Sequence, residues 1–103
     1  MQWHHYFSGF WAGAFFANFV PHYVNGVSGN GFPTPFAKPP GKGLSSPIVN
    51  VLWALLNLVI GYLLFKAGKV SCQDDLSLII FFIGFSCLSI VAARNFVNKE
   101  KIK

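Results

Sequence analysis

At 103 residues the chain has room for one domain and none for a separate catalytic module. Charged residues make up 11% and hydrophobic residues 53%, where soluble domains carry about 25% charge, so the composition argues against a water-soluble globule. The net charge of +5 does not describe a nucleic-acid surface, because the basic residues stand at the ends of apolar runs, placed to meet anionic lipid head groups.

The chain reads as an all-α integral membrane protein: one domain over 1–103, with three transmembrane helices at about 3–23, 47–65 and 76–97. No Lys, Arg, Asp or Glu occurs before Lys38, between Lys42 and Lys66, or between Asp75 and Arg94. Those gaps are what a bilayer demands, since an ion at its centre costs about 2.5–3.5 kcal/mol. The N-terminus lacks the Lys/Arg region of a cleavable signal peptide.

The first segment has two unlike faces. Gly9, Gly13 and Ala17 recur every four residues, the pattern that lets helix backbones approach closely in lipid. Asn18, His22 and Asn25, at spacings of four and three, share a nearly opposite face if the helix persists past Pro21. Nine of the eighteen aromatics fall in the first 23 residues, giving a broad apolar surface for lipid by default, or for a quinone, pigment or partner helix. A three-helix chain is hard pressed to cover both a packing face and a polar face, so the loop or another membrane protein chain is expected to help.

The loop at 25–46 holds five glycines and four prolines in 22 residues, too many for regular structure. Phe32 and Phe36 are expected to fold it back onto the helices or the head-group region. In the second segment Ser46 and Pro47 are start signals, and Lys66, Gly68 and Lys69 are stop signals. Asn50, Ala54, Asn57 and Gly61 form one stripe, with Leu52, Leu55, Val59 and Leu63 opposite. Asn57 lies at mid-membrane depth and is expected to bond to a neighbouring helix. Asp74 and Asp75 open the third segment, whose small-residue positions are Ser89 and Ala93, with Gly84 and Ser86 nearby. The short connection makes the second and third helices antiparallel neighbours by expectation.

Lys38, Lys42, Arg94, Lys99, Lys101 and Lys103 stand on one side against Lys66 and Lys69 on the other. That imbalance puts the C-terminus and the long loop in the cytoplasm and the N-terminus outside, in an inner or plasma membrane.

The candidate ligand patch is Asn18, His22, Asn25, Asn50 and Asn57. His22 has the chemistry of a general base, a proton relay, or an axial ligand to haem or metal. The competing reading is that His22 and the asparagines anchor the loop through its backbone. No cofactor or metal is specified, and no catalytic constellation is complete. Gly41-Lys42-Gly43 lacks phosphate-loop spacing, and there is no zinc spacing and no carboxylate within a span. The leading expectation is a non-enzymatic accessory or structural subunit of a larger membrane assembly. The alternative is a small ligand-handling protein, such as a channel, carrier, or haem, quinone or pigment binder, using the polar patch.

Overall fold

A computed structural model describes residues 3–40 and 43–97, so Lys42 and the cations beyond Asn98 lie outside the described residues. Three helices account for most of it: α1 (Trp3–Val27), α2 (Pro47–Ala67) and α3 (Asp75–Phe96). Among the described residues there is no strand, only an isolated antiparallel bridge between Phe32 and Ser45.

The starts of α2 and α3 follow from their caps. Ser46 is extended, accepts a hydrogen bond from the Val49 N–H, and precedes a proline at the first helical turn. Asp74 accepts from the Ser77 N–H and caps α3. The end of α2 is less direct. Gly68 is right-handed (φ −79°), and Lys69 takes the left-handed conformation (φ 51°) that glycine normally supplies after a helix. Glycine occupies position 68 for another reason: a Cβ there would stand 2.8 Å from the Gly9 nitrogen and 2.9 Å from the His5 carbonyl oxygen.

α1 runs past Pro21 to Val27, four residues beyond the expected end. Proline removes one N–H from the ladder, a loss that tightly packed apolar helices tolerate. The expected loop accordingly begins three residues late, and Asn25 belongs to the helix.

The connection at 68–74 does not make α2 and α3 neighbours, as expected from its length. No Cα of α2 comes within 8 Å of a Cα of α3; each packs instead on α1, which sits between them. Seven extended residues reach about 25 Å, enough to step across one helix when packed axes lie 8–10 Å apart. α1 is antiparallel to α2, with Gly9 beside Gly68 at one end and Gly26 beside Pro47 and Val51 at the other. It runs parallel to α3, where a Cβ on Gly13 would overlap the Phe81 carbonyl and one on Gly84 would overlap the Phe10 carbonyl. That reciprocal pair sets the α1–α3 crossing. Ser89 and Ala93 are exposed, and the close contact is made earlier on the helix, by Gly84.

α1 thus has both faces covered within the chain. Its small residues Ala12, Gly13 and Ala17 are buried, and its polar residues meet α2. Of the two covers expected for the polar side, the loop or another chain, the loop reaches it here through Phe32, whose ring packs on His22. The angle between α2 and α3 is filled toward the 68–74 end by the rings of Phe16, Phe65 and Phe81, with centroids 5.4–6.2 Å apart.

Two helices, α2 and α3, are long and apolar enough to cross a membrane, and only 22% and 11% of their apolar stretches are buried. A helix at the core of a soluble protein would be mostly covered, so these two point to a membrane location. α1 is longer, at 25 residues, but less apolar, and does not meet the same measure. Its buried Gly9, Ala12, Gly13, Ala14, Ala17, His22 and Gly26 are small or polar, which leaves fewer strongly apolar positions.

Candidate functional site

The polar residues of α1 and α2 form two rungs between the helices. Deeper in the bundle, Asn18 Nδ2 donates to Asn57 Oδ1 at 3.0 Å, and Asn57 Nδ2 donates to the Trp53 carbonyl at 2.8 Å. This is the interhelical bond that a buried amide at Asn57 requires. One turn on, His22 Nδ1 and Asn50 Oδ1 are 2.8 Å apart, both side chains buried. Asn25 stands outside this arrangement, donating to the Pro21 carbonyl of its own helix at 2.8 Å.

Asn50 is the hub. Its Nδ2 lies 2.9 Å from the Phe32 carbonyl and 3.1 Å from those of Ser45 and Ser46. Three acceptors around one atom identify it as the amino nitrogen, so the oxygen must face His22. His22 Nδ1 therefore carries a proton and donates. The other ring nitrogen, Nε2, has no hydrogen-bond partner among the described residues, although the side chain is only 2% exposed.

Asn50 also explains how a loop rich in glycine and proline keeps its shape. Phe32 and Ser45 exchange both backbone hydrogen bonds, at 3.2 and 3.0 Å. Thr34, 1% exposed, bonds Ser45 side chain to side chain at 2.6 Å and accepts from the Phe36 N–H at 3.1 Å. The Phe32 ring is buried against His22 and Phe96, with centroids 5.3 and 4.6 Å away. Phe36 is exposed and lies edge-on to Trp53 at 5.3 Å. Both phenylalanines fold back onto the helices.

Between this loop, α1 and the ends of α2 and α3 lies an open cleft of about 560 Å³. It is lined by Asn18 and His22 of α1, Trp53 of α2, Phe96 of α3 and prolines of the loop. Its volume is within the usual range for small-molecule sites, and its mixture of apolar walls and a few polar atoms is what such sites share. Arg94 and Asn95 bring polar groups from the end of α3.

Sequence reasoning missed Trp53, Thr34, Asn95, Phe96 and the prolines as cleft residues. Arg94 alone carried a signal: it is the one charge at the end of the third apolar run, on the same boundary as His22 by topology. The packing residues Gly9, Gly13, Ala17, Ala54 and Gly61 are all buried around α1, away from the cleft. Among the described residues no cluster of three His, Cys, Asp or Glu side chains is placed to hold a metal ion. Comparison of the chain with protein-family models, with curated proteins and with solved structures gives no match.

Proposed function

We propose that the chain is a three-span membrane protein that handles a small ligand in the cleft at the His22 end of α1. The observation that carries this reading is one atom. The asparagines spend their hydrogen bonds on building the walls, while His22 Nε2 has no partner among the described residues, in a side chain that lines an open cleft. A ligand donor or acceptor at Nε2 would complete the site.

The three-span reading is supported by α1 lying alongside both apolar helices over its length, from Gly9 at Gly68 to Gly26 at Pro47. If α2 and α3 cross a bilayer, α1 crosses with them. The orientation from the Lys/Arg imbalance places the cleft at the cytoplasmic boundary.

The test is native mass spectrometry of the chain purified from its own membranes in mild detergent, with an absorption spectrum to detect haem or pigment. A bound small-molecule mass that disappears in His22→Gln, with helicity retained, is the expected result. Wild-type protein free of any bound small molecule sinks the reading. A second reading, an accessory subunit of a larger assembly, is favoured by the exposed stripe of Trp3, Phe7 and Trp11 on α1, whose rings touch in sequence. A protein chain that co-purifies and protects that stripe would support it.

A further inference from the structure

We propose that the cleft recognises a phosphomonoester group carried on an apolar body. The proposal rests on the ligand-cleft reading above and gives the ligand its chemistry.

The first argument is charge. Arg94 is the only charged side chain lining the cleft among the described residues. The two described carboxylates, Asp74 and Asp75, stand at the opposite end of α3, about 30 Å away at 1.5 Å per residue. Arg94 therefore has no carboxylate partner among the described residues, and its planar fork is free for two oxygens of an anion. The second argument is the proton count at His22. With Nδ1–H committed to Asn50, a neutral ring presents a lone pair at Nε2, and a protonated ring presents an N–H there. A carboxylate has no proton to give that lone pair at neutral pH. A phosphomonoester keeps one close to neutrality, because its second ionisation falls near pH 6. One proton then lies between a phosphate oxygen and Nε2 whichever of them formally holds it, while Arg94 takes the remaining charge. A phosphodiester lacks that proton.

The third argument is size. A cleft of about 560 Å³ is far larger than a phosphate group, and prolines 33, 35 and 40 with Trp53 and Phe96 supply apolar walls for the rest of the molecule. Trp53, whose buried Nε1 has no hydrogen-bond acceptor among the described residues, is one of these lining residues.

The chemistry is shared by a phosphomonoester lipid at the membrane boundary and by a soluble phosphomonoester, and the experiment separates them. Delipidated full chain in mild detergent is titrated with short-chain phosphatidic acid, with phosphatidylglycerol of the same chain length, and with inorganic phosphate. Native mass spectrometry reads the lipids and phosphorus NMR reads phosphate. Phosphatidic acid is expected to bind about tenfold more tightly than phosphatidylglycerol, the value of one charge-assisted hydrogen bond. Arg94→Gln is expected to weaken phosphatidic acid about tenfold, and His22→Gln to abolish its preference over the diester. Arg94 is exposed, so its variant keeps the fold, and circular dichroism verifies this for both. Competition by inorganic phosphate assigns the site to soluble phosphomonoesters; lack of competition alongside the lipid preference assigns it to lipid. Equal binding of the two lipids by wild type, or phosphatidic acid binding unchanged in both variants, overturns the proposal. A non-phosphate molecule that co-purifies and is lost in His22→Gln overturns it too, yet leaves the ligand cleft standing. A chain that co-purifies with no small molecule removes the cleft reading itself.

Discussion

At Asn50 a single side chain joins three parts of the molecule, since it donates to the loop at Phe32 and Ser45, to its own helix start at Ser46, and accepts from His22 on α1. It is fully buried, so truncation takes from the Ser45 carbonyl and the His22 Nδ1–H the partner they have in the folded chain. Asn50→Ala is expected to lower stability by about 2–3 kcal/mol, the cost of leaving such groups unsatisfied. The loop should feel this first. Chymotrypsin cleavage after the exposed Phe36, with the protein in detergent, is expected to accelerate by an order of magnitude or more as the Thr34–Ser45 clasp opens more often. Unchanged cleavage would show that the clasp holds without Asn50. Much of this site was legible residue by residue: the spacing of Asn18 and His22 put them on one face, and Asn57 called for a partner. That an asparagine of the patch would anchor the loop through its backbone was one of the two readings, and Asn50 does so; which carbonyls it bonds was not legible, because they belong to a loop with no periodicity. The cleft itself, lined in part by prolines of the same loop, was hidden for the same reason.

Helix boundaries and helix neighbours separate what local chemistry fixes from what packing decides. The starts of α2 and α3 fall within one residue of expectation because Ser46-Pro47 and Asp74 are local signals. The end of α1 and the placing of α1 between its partners depend on packing, which no short motif records. Glycine marks the difference. At Gly84 and Gly13 two backbones meet, and a methyl on either would overlap a carbonyl of the other helix. Gly84→Ala is expected to destabilise by about 2–3 kcal/mol, at the upper range of overpacking, because rigid backbone cannot move aside as a side chain would. Ser89→Ala is the matched control. Its hydroxyl is exposed and bonds its own helix at Phe85, so the change should stay within about 0.5 kcal/mol. Thermal unfolding in one detergent measures both. At the end of α2, Lys69 holds φ 51°, a conformation that costs a residue with a Cβ about 1–2 kcal/mol. Lys69→Gly should therefore raise stability by up to about 1 kcal/mol, offset in part by the flexibility glycine gains in the unfolded chain. A fall in unfolding temperature would count against the left-handed assignment.

For the whole molecule, one experiment weighs the arrangement of all three helices. The N-terminal end of α1 lies beside Gly68, at the same end as Cys72 in the 68–74 turn, while Lys38 belongs to the loop at the other end. If α1 crosses together with α2 and α3, residues 4 and 72 share one side of the membrane and residue 38 faces the other. Single-cysteine chains carrying native Cys72, His4→Cys or Lys38→Cys, each otherwise free of cysteine, report this through a membrane-impermeant maleimide. In intact cells Cys72 and the His4→Cys chain are expected to label, and the Lys38→Cys chain only after lysis, as the Lys/Arg imbalance requires. Labelling of residues 4 and 38 together would mean that α1 does not cross. The reverse pattern, with only Lys38→Cys labelled in intact cells, would keep three spans and invert the protein. Cys87 adds an independent check on what covers α3. It is exposed on the chain, midway along an apolar helix of which little is buried. A membrane-impermeant maleimide does not enter the hydrocarbon of a bilayer. Cys87 should therefore stay unlabelled in intact and lysed cells alike and react only once the fold is denatured. Rapid labelling in the native protein would place water where the three-helix reading places lipid.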